Sequence, residues 1–299
     1  MRWPDAWVFL VRFARSQASH LAIMRGRVTA LGLLFTAAIL MMASSANAQQ
    51  PFPTDDADVT GKGKFHYESF NEYDWLQTEQ FPHLRQNTFN MKVNYGLGHG
   101  LELDLDTPLI SIVNDATVTP RVPFGLGDTN FGIKWNFREE HEGAPALTAV
   151  LYVEVPTGDA ATELGSGLVD TWLYGVVQKT LKPNLVLHLN GGWLFHGNTS
   201  TGVVGIITAH GHVATMGASL VQRINDKITL GLDLTGAVTR NALLERNQFQ
   251  VTVGGNYALR NGLSLDAGFI VGHFEASPRV GAQIGFSWDI KPEPPDQPQ

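Results

Sequence analysis

The chain has no cysteine among its 299 residues. A disulfide framework and a thiolate metal site are therefore both excluded. Charge is scarce as well. Asp, Glu, Lys and Arg make up 16% of the chain, against roughly 25% in ordinary soluble domains. Beyond residue 48 no apolar run is long enough for a transmembrane helix. The sequence also lacks a G-x-S-x-G elbow, an H-E-x-x-H pair and a P-loop. The usual signatures of esterase, zinc-peptidase and nucleotide chemistry are thus missing. No catalytic residue, cofactor or bound metal is expected.

What is present starts with a leader. Arg25 and Arg27 precede an apolar run from Val28 to Met42, and Ala46-Asn47-Ala48 follows as a cleavage site. Residues 1–48 therefore read as a signal peptide, with Met24 a possible true start. The apolar run is shorter than the 18 or more residues of a membrane anchor. Removing residues 1–48 takes away five Arg and one Asp. The remainder carries 16 basic and 27 acidic residues, a net charge of −11. That excess argues against nucleic acid as a partner.

After the leader, side chains alternate with period two. Ile228, Leu230, Leu232 and Leu234 alternate with Thr229, Gly231, Asp233 and Thr235. Phe249, Val251, Val253, Tyr257 and Leu259 share one face, opposite Gln248, Gln250, Thr252 and Asn256. Leu185, Leu187, Leu189, Trp193 and Phe195, and then Val280 to Ile290, repeat the pattern. An apolar face and a polar face fit either a soluble β-sandwich or barrel, or a membrane barrel with lipid outside and a polar lumen. Length decides between them. The runs are about 10–14 residues, longer than the mode of about 5–6 for soluble strands and suited to a tilted membrane strand.

Twelve strands are predicted, at 61–73, 84–97, 100–112, 126–138, 145–157, 168–181, 184–197, 209–224, 227–240, 247–260, 262–275 and 279–290. Either Trp172, Tyr174 and Val176 or Thr171, Leu173 and Val177 face lipid in the sixth. Short turns alternate with longer polar links, the asymmetry of outer-membrane barrels. The fold class is therefore all-β, a transmembrane antiparallel up-and-down barrel over 61–290. Residues 49–60 are expected as an N-terminal periplasmic segment and 291–299 as a Pro-rich C-terminal tail. Phe65, Tyr67, Tyr95, Trp135, Phe137, Trp172, Trp193, Phe195, Tyr257, Phe286 and Trp288 are placed for interfacial girdles.

Two segments carry a family resemblance. One is Gly125-Leu-Gly-Asp128-Thr-Asn-Phe-Gly-Ile-Lys134-Trp-Asn-Phe137. The other is Val155-Pro-Thr-Gly-Asp159, followed by Gly165-Ser-Gly167 and Asp170. Together they resemble the outer-membrane barrels associated with the meta-pathway of phenol degradation. The resemblance implies a barrel in the bacterial outer membrane that moves small, often aromatic or hydrophobic compounds, and it implies no catalytic residues.

Some residues stand out as candidates. Glu102, Asp104 and Asp106 share one face of a strand, with carboxylates roughly 7 Å apart. Lys92 and Lys134 lie on the neighbouring strands, also facing the lumen. An ion-paired lumen network, a path for substrate or cations, or a calcium site would each use these charges. Asp128, Asp159 and Asp170 flank glycines near the outer loops, as turn formers or as residues that solute meets first. His196, His210, His212 and His273 fall near outer strand ends, as rim residues or metal ligands. The expected partners are outer-membrane lipid and a small organic substrate, and the expected function is passive passage through a narrow polar lumen. A structural or surface-interaction barrel is the alternative, with an outer-membrane hydrolase behind it.

Overall fold

The computed structural model describes residues 51–195, 211–239, 247–260 and 262–290. Thirteen strands form among them: β1 Phe65–Trp75, β2 His83–Gly98, β3 Leu101–Asn114, β4 Phe124–Leu126, β5 Thr129–Arg138, β6 Ala146–Val155, β7 Asp170–Lys182, β8 Leu185–Phe195, β9 His212–Arg223, β10 Ile228–Thr239, β11 Gln248–Arg260, β12 Leu263–His273 and β13 Val280–Ile290. Each long strand pairs antiparallel with its neighbours. β1 pairs with β13 along its whole length and so closes a ring of twelve. Three-residue β4 is extra and pairs with the outer part of β3. Closure leaves no sheet edge facing hydrocarbon, the condition for a β-structure to span a bilayer. At the closing seam the His66 ring lies 2.6 Å from Asp289 on β13 and 3.2 Å from Glu68.

The twelve predicted strands correspond one to one with the long strands of the ring. β1 begins at Phe65 rather than 61, and β4 interrupts the link predicted at 113–125. Short turns join β2 to β3, β7 to β8, β9 to β10 and β11 to β12, all at one end. His99 and Gly100 in the first of these have φ of 57° and 75°, as a two-residue hairpin matched to strand twist requires. A Cβ at Gly100 would run into the Asn136 carbonyl. The longer links emerge at the opposite, outer end.

The barrel is inside out relative to a soluble protein. Leu230 and Leu232 are 50% and 44% exposed, while Asp233 beside them is fully buried. Asp266 and Ser287 are buried, and Leu265 and Ile284 are exposed. Apolar side chains on the outer face have lipid as their solvent, so their exposure to it is favourable. The protein is thus a bilayer-spanning barrel of the bacterial outer membrane.

The two open registers of β7 are resolved. Leu173 points outward with Thr171 and Val177, while Trp172, Tyr174 and Val176 face the lumen. Trp172 is therefore corrected from a girdle residue to a lumen residue. The reason is its N–H, which donates to Thr215 Oγ1 at 2.9 Å inside the barrel. Lipid offers no such acceptor. Phe65, Trp135, Phe137, Trp193, Tyr257 and Phe286 do lie on the outer face.

Candidate functional site

The lumen holds the candidate residues. Glu102, Asp104 and Asp106 project into it from β3, Lys92 from β2 and Lys134 from β5. Lys92 stands in register between Glu68 on β1 and Asp106 on β3. Asp104 Oδ2 accepts from the Tyr152 hydroxyl at 2.9 Å. Glu102 accepts from Asn94 Nδ2 at 3.4 Å and from the Thr60 backbone N–H. Lys134 takes its partners from elsewhere: its ammonium lies 3.0 Å from Asp55 and 3.0 Å from Asp56.

Those two aspartates belong to residues 51–60, expected in the periplasm. The structure places this segment instead as a strap across the lumen wall. Pro51 sits against Gly254 and Gly268, and Phe52 sits over Gly231. A Cβ at Gly231 would lie 2.6 Å from the Phe52 ring, so the missing side chains form the seat. The Thr54 N–H donates to Asp233 at 3.1 Å. Asp55 accepts from the Tyr174 hydroxyl at 2.8 Å. Ala57 is held at three points: its N–H donates to Gln178 at 2.8 Å, and its carbonyl accepts from Asn136 and Thr148 at 2.7 Å each. Lys62 then bridges to Gly96 on β2. Pro51 and Pro53 favour an extended chain, and the buried acids need a cation. The run of Asp55, Asp56 and Asp58 beside a lone lysine on β5 was the available signal, since a buried ammonium demands a counter-charge.

The lumen wall is not uniformly polar, contrary to expectation. Glu102, Lys134, Asn94, His66, Glu68 and Asp266 line its periplasmic half. The outer half carries buried polar groups on β1, β2 and β11, among them Asp74, Gln86 and Gln248, but on β7–β10 Trp172, Leu194, Val213 and Ala237 follow one another, with Leu194 packed on Val213 and Ala237. Ile110 and Ile112 on β3 are buried there as well. The β6–β7 link, residues 156–169, folds over the outer mouth. Its Leu164 packs on Ile110 and Ile112, and its Glu163 pairs with His83 on β2 at 2.5 Å.

Asp128 anchors that link, accepting from the Gly158 N–H at 2.9 Å and the Ser166 N–H at 2.6 Å. Asp159 caps a single 3₁₀ turn, accepting from the Ala161 N–H at 3.0 Å and the Thr162 hydroxyl at 2.8 Å. Asp170 is buried at the start of β7, in register with Glu154. His196 and His210 lie outside the described residues. The His212 ring meets Trp193 and Phe195, and His273 meets Phe274. Among the described residues no group of three His, Asp or Glu is placed to hold a metal.

Residues 54–290 match the family model described as "Putative MetA-pathway of phenol degradation". No curated protein matches the chain significantly. Among solved structures, an outer membrane channel from Pseudomonas putida F1 is 15% identical, with 79% of this chain and 99% of that chain covered and a TM-score of 0.56. The KdgM porin in complex with disordered oligogalacturonate and the NanC porin are each 8% identical, with 75% of this chain and 98% of theirs covered and a TM-score of 0.50. At such identities these likenesses concern the fold.

Proposed function

Since this chain belongs to the family associated with the MetA-pathway of phenol degradation, we propose that it is a passive outer-membrane channel for small hydrophobic or aromatic compounds. The observation that carries this reading is the apolar stretch of lumen wall on β7–β10, where Trp172, Leu194, Val213 and Ala237 stand side by side. An apolar solute gains there, because leaving water for such a wall is favourable at about 25 cal/mol per Å². Twelve strands put the barrel between side-chain-filled small barrels and wide porins. The strap occupies part of the lumen and so narrows the passage.

In this reading solute enters past the 156–169 link, where Asp128, Asp159 and Asp170 shape the mouth. It then meets the apolar wall and leaves along Lys92, Glu102, Asp104, Asp106 and Lys134. The charged half supplies paired groups that release an apolar solute instead of holding it. Uptake into liposomes containing the purified protein tests the proposal with a panel of aromatic, aliphatic and sugar solutes. Faster entry of aromatic and small apolar solutes than of sugars is expected. No permeation of any solute, with the strap present or deleted, would overturn it.

A further inference from the structure

Tyr152 on β6 and Trp172 and Tyr174 on β7 form an aromatic patch on the lumen wall. Tyr152 and Tyr174 lie close to parallel, and Trp172 is tilted to both. Trp172 and Tyr174 have centroids 4.4 Å apart at 33°, and Tyr152 and Tyr174 are 6.4 Å apart at 8°. All three polar ends are tied down: Tyr152 to Asp104 at 2.9 Å, Tyr174 to Asp55 at 2.8 Å and Trp172 to Thr215 at 2.9 Å. The tethers hold the ring planes without any help from a ligand.

Tyr152 reaches Asp104 by crossing Gly132 on β5, where a Cβ would collide with its ring. The missing side chain at Gly132 makes room for the ring. Tyr174 is buried, whereas Tyr152 and Trp172 are only half-buried. Leu194, Val213 and Ala237 continue the surface on one side. One residue pair nearer the mouth, Glu154 and Asp170 face the lumen in register with each other. Glu154 stands two residues from Tyr152 on the same face, about 7 Å along the strand.

Building on the channel reading, we propose that this patch is a resting site for a hydroxylated aromatic ring. The ring stacks on Trp172 and Tyr152, and its hydroxyl hydrogen-bonds the Glu154 carboxyl group. Stacking serves any flat ring, since offset arrangements of aromatic faces are favourable. The carboxyl group adds selection, because it pairs with a hydroxyl and a hydrocarbon ring has none to offer it. A phenol satisfies both halves of the site. Toluene satisfies only the apolar half, and cyclohexanol lacks the flat face.

Equilibrium dialysis of the full barrel in detergent against phenol, toluene and cyclohexanol tests the site. Phenol should bind tightest. Trp172→Leu and Tyr152→Leu should each weaken phenol by about 2- to 12-fold, while Trp172→Phe keeps most of the affinity. Glu154→Leu should abolish the preference for phenol over toluene. Trp193→Leu, on the lipid face, should change nothing. Cold SDS-gel mobility reports whether each variant is folded, and the two ring deletions back each other up. Unchanged phenol affinity in the folded ring deletions, or equal affinity for phenol and cyclohexanol, would overturn the site. Phenol flux into liposomes separates the two readings. Flux without patch-dependent binding leaves the channel and removes the site. Patch-dependent binding without flux leaves the site and removes the channel.

Discussion

The Lys134 ammonium lies 3.0 Å from a carboxylate oxygen of Asp55 and 3.0 Å from one of Asp56. Two successive strap residues thus share one cation projecting from β5. All three groups are largely withdrawn from water, so the contact locks the strap to the wall.

Lys134→Met should release that lock. Removing one partner of a buried charge pair strands the other and costs about 3–5 kcal/mol. Here the cost falls on strap docking, because β5 itself stays paired on both sides. Single-channel recordings in planar bilayers should show higher conductance for Lys134→Met and for deletion of 51–60 than for the parent. Equal conductance in all three would mean that the strap does not limit the pore.

Facing can be tested with one residue type at two sites. Leu232→Arg on the outer face should cost about 2–4 kcal/mol near the bilayer midplane. Asn256→Arg should cost less, since its side chain faces the lumen in register with Asp266, where a cation gains a counter-charge. Urea unfolding from liposomes measures both. Similar losses would contradict the inside-out assignment.

Asp128→Ala should loosen the link over the outer mouth. It removes the acceptor for the Gly158 and Ser166 N–H groups. Leaving a buried donor without its acceptor costs about 1–3 kcal/mol. Protease added outside intact cells should then cut within 156–169 faster than in the parent. An unchanged cutting rate would show that Leu164 and the His83–Glu163 pair hold the link alone.

At the periplasmic end Glu140 pairs with Lys179 at 2.8 Å and accepts from the Thr180 N–H at 3.0 Å. Slight burial raises its pKa, but the Lys179 and Thr180 contacts outweigh this and hold the carboxyl below its ordinary range. Its stabilising contribution is therefore full above the ordinary carboxylate pKa and is lost as pH falls through the lowered value. The group is near solvent, so Glu140→Gln should cost under about 1 kcal/mol. Urea midpoints of parent and variant should differ at neutral pH and converge in acid. A difference that persists in acid would exclude the ion pair as its cause.

The alternation of Leu230, Leu232 and Leu234 with Gly231, Asp233 and Thr235 made the strand legible, and its length made the membrane legible. Asn261-Gly262 marked a hairpin in the same way. The β7 register stayed open because both faces of that strand carry large side chains. Trp172 looks like a girdle residue until Thr215 appears across β8 as its acceptor.

Local chemistry along the chain settles the barrel: period-two patterning, the ten-residue scale of the runs and alternating link lengths are each written in neighbouring residues. It also settles that Lys92, Glu102, Asp104, Asp106 and Lys134 face inward, because facing follows from parity. Who meets whom inside was decided only once the sheet closed. Lys134 meets Asp55 and Asp56 at separations of 79 and 78 residues, and Tyr152 reaches Asp104 across a glycine on the strand between them. No period encodes such meetings, since they depend on the curvature of the wall and on the path of a segment with no repeating pattern of its own.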